Sequence, residues 1–418
     1  MSSVSPKNDT SVLSKTFTSY QKIIILLLAI LQFTIVLDFM ILAPLGDILM
    51  KSMNMSTKQF GTVVSAYAIS ACISGIFAAG FADKFDRKKL LLFFYAGFIL
   101  GTYFCAISYN YETLFIARII TGLFGGVIGS ISMAIITDIF SIHQRGKVMG
   151  FVQMAFGGSQ ILGIPIGLVL ANYWSWHATF YMVLILAFIL GIALVIKLKP
   201  LTEHLKLINN KNALQHLLQT IKKKDYRIGF LATALLSMGG FLIMPFSTAF
   251  IVNNIHIAQS QVAVIFFFTG IFSIIIMPIV GKLSDKFDKL MIFGIGTIIA
   301  IVMVVIYTHL SPVPIWLVII VNIVLFIGIM SRMVPATALN SAVPDAYDRG
   351  AYMSINSSLQ QFAGGIAALF SGLVVVQKSK NSPIENFDVL GYVMVVLMLM
   401  CFYFVYKVNV LLKKREIK

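Results

Sequence analysis

The sequence predicts an all-α protein that crosses a membrane many times. Of its 418 residues, 59% are hydrophobic and only 11% are Asp, Glu, Lys or Arg, whereas about 25% of a water-soluble domain is charged. The apolar residues also fall into blocks of about 20, the length at which a helix spans the hydrocarbon core of a bilayer. Together these observations exclude an ordinary water-soluble enzyme.

Twelve apolar blocks follow one another along the chain, and each predicts one membrane-spanning helix. The first six are predicted at 22–48, 60–82, 90–108, 112–139, 147–171 and 178–197. The second six are predicted at 228–252, 260–281, 290–309, 314–341, 350–376 and 389–411. The first block is too long for a signal-peptide core, so we expect it to be retained.

The positions of the basic residues predict the orientation in the membrane. Of the 32 Lys and Arg residues, 26 lie in the two termini and in alternate joints, and the opposite joints hold only Lys51, Lys58, Lys378 and Lys380. The positive-inside rule therefore places both termini in the cytoplasm. The net charge of +16 then reflects topology, and we expect no nucleic-acid partner. Compact loops and Lys/Ile/Asn-rich usage favour a bacterial inner membrane.

The spans divide into two similar halves. A polar, basic connection at 198–227 separates a six-helix bundle at 1–197 from a second one at 228–418, and we interpret it as a cytoplasmic linker. The Asp-Lys-Phe-Asp sequence at 83–86 recurs at 285–288, in the equivalent joint of the second half. Arg145-Gly146 recurs in the same way as Arg349-Gly350. Paired six-helix repeats predict alternating access around a central site.

No pattern typical of a catalytic or metal centre is present in the sequence. Cys72, Cys105 and Cys401 lie far apart within apolar blocks, which favours packing over disulfides or metal binding. The six histidines lack the spacing of a zinc helix, and no nucleophile elbow or phosphate loop occurs. We therefore expect no enzyme activity, no cofactor and no metal, and we expect a monomer.

The joint after the second span resembles a known motif. Ala79-Gly80-Phe81-Ala82-Asp83-Lys84-Phe85-Asp86-Arg87-Lys88-Lys89 is similar to the loop motif G-x-L-A-D-R-x-G-R-K of the major facilitator superfamily. The resemblance covers essentially the whole chain, because the second copy, the linker and the twelve spans all fall where this family has them. It is strongest to the twelve-helix drug/proton antiporters. Ala79 and Asp86 stand where the motif has glycine, so they weaken the subfamily assignment.

The charges of this joint predict a conformational latch. Asp83 can accept hydrogen bonds from the start of a neighbouring helix, and Arg87 can pair with Asp138 at the end of the fourth span. The resemblance implies that these three residues stabilise the outward-open state. The second copy carries Asp285 and Lys289 at the matching positions. The alternative is that all of them are solvated loop charges that only set topology.

Asp38 is the acid that the sequence places well inside the membrane. Fourteen of the sixteen acids lie in joints, in tails or at span rims, and the other two are Asp38 and Asp47, both in the first block. On one continuous helix these two would point to opposite faces, so we expect Asp47 to reach the external mouth. A charge at bilayer depth is costly and functional by default. We predict that Asp38 carries the transported proton, whereas the alternative is an acid permanently paired for packing.

Arg118 on the fourth span is the predicted partner of Asp38. The glycines at 122, 125, 126 and 129 share its helix face, so a close-packed neighbour is expected there. The segment is similar to the family motif R-x-x-x-G, and the resemblance implies a role for this arginine in proton coupling. A purely structural arginine is the alternative.

The fifth span carries Gly163, Pro165 and Gly167 in a segment that imperfectly resembles the antiporter motif G-x-x-x-G-P-x-x-G-G. Glycine and proline thin and bend a helix, so we predict that this helix acts as a gate. Helix thinning for packing alone predicts the same residues.

Several polar side chains are predicted to line a mostly apolar substrate cavity. Arg332 is the deep charge of the second half, and we expect it to meet an anionic substrate, an unwound carbonyl or Asp38. The complete set is Gln32, Thr34, Gln160, Asn322, Arg332, Asn356 and Gln360.

These patterns favour a secondary transporter whose partners are a small-molecule substrate, protons and the lipid bilayer. Our preferred hypothesis is proton-coupled efflux of small lipophilic compounds or metabolites. A proton-coupled importer or facilitator of a small metabolite, amino acid or siderophore uses the same fold. A non-transporting receptor is disfavoured because it has no need of a buried Asp and Arg.

Overall fold

The computed structural model describes residues 17–203, 205, 213–345 and 347–416, except for the side chains of residues 79, 80, 83, 142, 156, 213, 214 and 416. Five basic residues that entered the topology prediction lie outside the described residues: Lys7, Lys15, Lys206, Lys211 and Lys418. Sixteen helices occur in this part of the chain. They are α1 (Ser19–Ile41), α2 (Gly46–Ser52), α3 (Thr57–Phe81), α4 (Arg87–Ala106), α5 (Tyr111–Ile139), α6 (Ile142–Gly158), α7 (Ile164–Tyr173), α8 (Trp176–Lys197), α9 (Ala213–Lys222), α10 (Lys224–Ile243), α11 (Ser247–Asn253), α12 (Val262–Lys286), α13 (Lys289–Thr308), α14 (Ile315–Ser341), α15 (Arg349–Val374) and α16 (Phe387–Glu416).

The helix starts follow from local sequence. Thr18, Ser56 and Asn110 each form a capping box at the start of α1, α3 and α5, which satisfies N–H groups that lack partners inside the helix. Within the described residues, eleven helical segments are long and apolar enough to cross a membrane. Helix α15 has a comparable length of 26 residues but carries more polar side chains.

The first and seventh predicted spans are each broken in two. Helix α1 ends at Ile41 and α2 begins at Gly46, because Pro44 lacks the N–H that a continuing helix needs. Pro245 lies in a short 3-10 turn between α10 and α11. The prediction that Asp38 and Asp47 share one helix was therefore wrong, and their relative directions cannot be read from helical periodicity.

Helices α1–α8 before the linker form the first helix set, and helices α10–α16 after it form the second. The two sets contact each other differently at the two ends of the molecule. We call the end with loops 82–86, 287–288 and 342–348 the linker face, and the end with loops 42–45, 254–261 and 375–386 the distal face. At the distal end, residues from both helix sets form one hydrophobic core. Toward the linker face, each set has a separate core. The two helix sets are therefore joined mainly at the distal end, along with the long α3–α15 contact.

The linker is attached differently at its two ends. Near α8, the Arg87 N–H donates to the Leu201 carbonyl (3.2 Å) and the Leu201 N–H donates to Asp86 (3.2 Å). At the other end, Asp348 accepts from Tyr226 (2.8 Å) and pairs with Lys223 and with His216. The Lys223 ammonium, helped by the other donors, lowers the pKa of the Asp348 carboxyl to about 2.

Candidate functional site

Asp38 and Arg118 form a buried ion pair between α1 and α5. The Arg118 Nη1 donates to the Asp38 Oδ2 at 2.8 Å and to the Asp38 backbone carbonyl at 3.2 Å. The Thr102 hydroxyl donates to the other carboxylate oxygen at 3.3 Å. Both charged residues are 0% exposed. Asp38 lies in the last turn of α1, so it is nearer the distal end than its position in the predicted span suggested.

Removing either charge of the Asp38–Arg118 pair should be costly. A buried ion pair that loses one partner leaves an uncompensated charge, which costs about 3–5 kcal/mol. The Arg118 guanidinium also stacks on the Tyr67 ring, with 4.6 Å from its carbon to the ring centroid, while its Nε has no hydrogen-bond partner among the described residues. Neutralising Asp38 would therefore leave a buried arginine without a counter-ion, held by the Asp38 backbone carbonyl and the Tyr67 ring. With Asp38 neutral, the buried positive charge of Arg118 is unpaired, and a conformation that exposes Arg118 to water would be favoured.

The glycine face of α5 brings Arg118 to its partners. A Cβ on Gly122 would lie 2.4 Å from the Tyr67 carbonyl, and one on Gly126 would lie 2.5 Å from the Ala71 Cα. Larger residues at these positions would push α3 away from α5. The expected close-packed neighbour is thus α3, which supplies Tyr67.

An aromatic chain connects this pair to the second helix set. The Tyr67 ring lies 5.0 Å from the Phe39 ring, and the Phe39 ring lies 5.5 Å from that of Phe241 on α10. Rings at these separations are in direct contact. These ring contacts therefore connect Arg118 to the place where the two helix sets meet.

The predicted cavity residues do not form one cluster. Thr34 is 0% exposed and donates to the Leu31 carbonyl, so it lies inside the first helix set and lines no open cavity in this conformation. Arg332 is 4% exposed and lies over the Phe293 ring at 5.5 Å. Because Phe293 is on α13, Arg332 points into its own helix set. It does not meet Asp38, and that part of the prediction was wrong.

The other cavity candidates are more accessible or bonded locally. Gln32 is half-buried and Gln160 is 9% exposed. Asn322 donates to the Val318 carbonyl on its own helix at 2.9 Å. Asn356 accepts from Asn340 at 3.1 Å, and Gln360 is exposed.

One of the two predicted latches contains an ion pair. The Arg87 Nε lies 3.4 Å from the Asp138 Oδ2, and Nη1 donates to the Ala82 carbonyl at 3.2 Å. The Asp83 side chain is outside the described residues. In the second copy, Lys289 donates to the Ser284 carbonyl at 3.3 Å and Asp285 is exposed.

The predicted gating helix has an irregular backbone. Residues Ser159–Gly163 form a π-helical turn between α6 and α7, and Pro165, which cannot donate a backbone bond, is the second residue of α7. A Cβ on Gly163 would lie 2.5 Å from Leu37, and one on Gly167 would lie 2.8 Å from Ile41. Both glycines thus let this helix approach α1, three residues or fewer from Asp38.

Sequence reasoning missed a second polar cluster, at the distal end. Asp47 is 2% exposed and contacts Lys51 and Asn253. Asp47 was predicted to reach an external mouth; it lies beneath the distal face, but Lys51 and Asn253 cover it, and α2 is a new helix that begins after the break at Pro44. That proline was the available signal in the sequence.

Two sets of membrane-length helices, with an ion pair buried inside the first set, have the architecture of a secondary transporter. The chain belongs to the Major Facilitator Superfamily, whose family model matches residues 28–368 and again 229–417. This membership confirms the predicted fold class, an all-α membrane protein with two pseudo-symmetric six-helix bundles. It also confirms that the protein is a transporter and not an enzyme.

Sequence identity to individual relatives is low. The chain is 28% identical over 259 residues to the uncharacterized MFS-type transporter YceJ of Bacillus subtilis (strain 168). The aligned stretch covers 61% of this chain and 65% of the relative. It therefore spans slightly less than two thirds of that relative. The quinolone resistance protein NorA of Staphylococcus aureus (strain MSSA476) is 22% identical over 82% of this chain and 86% of its own length.

A solved structure shares the fold. The crystal structure of a bacterial homolog of the human lysosomal transporter Spinster, inward-facing and occupied, superposes with a TM-score of 0.74 at 14% identity. The match covers 94% of this chain and 98% of the other.

Proposed function

We propose that this transporter exports small lipophilic compounds in exchange for protons, by alternating access between its two six-helix bundles. The observation that carries the proposal is the ion pair of Asp38 and Arg118, both 0% exposed and 2.8 Å apart. Charges at membrane depth are rare outside ion and proton pathways. The membrane is a bacterial inner membrane, with both termini and the linker in the cytoplasm.

Protonation of Asp38 is the coupling step. A proton on the carboxylate removes the negative charge that Arg118 faces, so the guanidinium loses its main electrostatic partner. The conformation in which Arg118 gains water or substrate contacts then becomes favoured, and the equilibrium shifts between the two states. The contacts from Tyr67 through Phe39 to Phe241 carry the change to the second bundle.

The substrate class is inferred from the surroundings and from a relative. Gln32, Gln160, Asn356 and Gln360 provide a few polar anchors among apolar helices, which suits a lipophilic molecule with one or two polar groups. NorA carries quinolone resistance in its name, so a quinolone is a suitable first probe. Arg87 and Asp138 act as the latch of the linker face in this scheme, and the helix carrying Gly163 and Pro165 acts as a gate.

Gradient-driven transport in liposomes tests the proposal. Purified protein is reconstituted, a pH gradient is imposed, and accumulation of a quinolone is measured with each polarity. Antiport predicts accumulation in vesicles with an acidic interior, whatever the orientation of the protein. Accumulation with an acidic exterior would instead show proton symport, as in an importer, and would overturn the efflux proposal.

The Asp38→Asn variant is the decisive change. Asn resembles the protonated acid, a state that the proposed cycle must visit, so this variant should fold and bind the probe but lose all response to the gradient. The matched control is Glu112→Gln, which neutralises an exposed acid at the start of α5 and should transport normally. Gradient-driven accumulation retained in Asp38→Asn would contradict the mechanism. Loss of folding in that variant would support the packing alternative.

A further inference from the structure

Asp47, Lys51 and Asn253 form a closed ring of contacts across the two helix sets. The Asn253 amide Nδ2 donates to the Asp47 Oδ1 at 2.6 Å. The Lys51 Nζ lies 2.8 Å from the Asp47 Oδ2 and donates to the Asn253 Oδ1 at 3.0 Å. Both carboxylate oxygens and both amide groups are therefore paired. Asp47 and Lys51 belong to α2 and Asn253 ends α11, so the ring joins the first helix set to the second.

The ring lies just beneath the distal face. Asp47 is 2% exposed and Asn253 is 5% exposed, while the Lys51 side chain is 27% exposed. The lysine thus covers the acid on the water side. The acid and the amide could not stay buried if the helix sets separated here, because unpaired polar groups are costly away from water.

The neighbouring contacts make the seal tight. A Cβ on Gly46 of α2 would lie 3.0 Å from the Pro245 carbonyl of the other set, and the Phe60 ring packs edge-on against Phe246 at 5.7 Å. Close by, the Thr57 hydroxyl donates to the Val375 carbonyl at 2.7 Å. These contacts all cross between the sets at the distal end.

We propose that Asp47, Lys51 and Asn253 are the lock of the distal gate, which holds that face shut in this conformation and opens when the transporter reverses. The inference rests on the alternating access in the proposed function. The chemistry suits repeated use, since Asp47 and Lys51 are four residues apart on one helix and stay paired when the gate opens. Opening exchanges for water only the two hydrogen bonds that cross between the helix sets, from Asn253 to Asp47 and from Lys51 to Asn253.

Distance measurements between spin labels on the distal face test the lock. Labels at Tyr109 and Lys378, exposed residues of the first and second sets, report the width of this face in liposomes without any gradient or substrate. Asn253→Ala should raise the population with widely separated labels by about tenfold or more, the effect of losing hydrogen bonds to charged groups. Asn253→Asp, which places a carboxylate against Asp47, should raise it further.

The matched control is Asn254→Ala. Asn254 exchanges hydrogen bonds with Ile384 within the second set, so its loss should leave the label distances unchanged. Unaltered distances in both Asn253 variants would overturn the lock. Because this readout needs no proton coupling, a shifted distance distribution would support the lock even if Asp38→Asn still responded to a pH gradient.

Discussion

The two halves of this transporter share a layout but differ in their charges. In the first half, Arg118 pairs with Asp38 and Arg87 pairs with Asp138. The offset of 204 residues that relates Arg145 to Arg349 places Asn322 opposite Arg118 in the repeat, and Lys289 stands in place of Arg87 but bonds to a carbonyl. The two halves thus share a helical layout, whereas the Asp38–Arg118 and Arg87–Asp138 pairs of the first half have, among the described residues, no ion pair at the matching Asn322 and Lys289. We infer that the first bundle supplies proton coupling.

The largest effect should come from comparing Arg118 with Asn322. Arg118→Gln leaves the Asp38 carboxylate buried and without a counter-ion, which should lower the free energy of unfolding by about 3–5 kcal/mol and abolish gradient-driven transport. Asn322→Ala removes one bond within a helix and should cost about 1 kcal/mol. Thermal unfolding in detergent measures both. Equal losses for the two variants would show that the halves do not differ in the way described.

The second comparison is between the loop motifs. The Arg87 side chain is 9% exposed and has a carboxylate partner, so Arg87→Gln should cost about 1–3 kcal/mol. Lys289 is partly exposed and bonds to a backbone oxygen, so Lys289→Gln should cost less than about 0.5 kcal/mol. Thermal unfolding again provides the measurement. A larger loss at Lys289 would reverse the assignment of the latch to the first copy.

The smallest effect concerns the two ends of the linker. The Asp348 carboxyl has its pKa lowered to about 2, chiefly by Lys223, against about 3.9 for a free Asp. Its contribution to stability is therefore complete above about pH 4 and is lost as the pH falls toward 2. Hydrogen exchange of α9, corrected for the intrinsic effect of pH, should be constant between pH 5 and pH 8 and should rise a few fold in Asp348→Asn at pH 7.

Hydrogen exchange of α9 also tests whether Asp348 carries protons. An acid with a pKa near 2 stays ionised throughout the physiological range, so Asp348 docks the linker and does not shuttle protons. Protection of α9 that changed between pH 5 and pH 8 would contradict this division of roles. At the other linker end, the bond from the Arg87 N–H to the Leu201 carbonyl involves no titrating group and should persist.

Most of the fold was predictable because membrane spans are recognised from the composition of about 20 residues. A local break in the helix, as at Pro44 or Pro245, changes that composition little. Asp38 and Arg118 were found for a related reason, since a charge inside an apolar block stands out. The burial of Asp47 was not predicted, because helical periodicity does not carry past the break at Pro44 that separates α1 from α2. Arg332 shows the same limit, because hydropathy places a charge at a depth but does not say which face of the helix it occupies.

The lock at Asn253 could not be predicted from sequence. Its partner Asp47 lies 206 positions away, and asparagine near a loop is common. Only the packing of α2 against α11 brings the two together. In the second copy, Lys289 has no counterpart of Asp138 to pair with, since the end of α14 carries Asn340 and Ser341 where the first half has that acid.

The complete enclosure of Asp38 bears on energy efficiency. A carboxyl group that water touched from both faces at once would let hydrogen ions cross with no cargo, and the cell would spend its proton-motive force as heat. With Arg118, Thr102 and Tyr67 around it, Asp38 is sealed in this conformation, so such slippage requires the helices to move first. Under the proposed coupling, trimming Tyr67, which is itself 1% exposed, would therefore let protons cross without cargo.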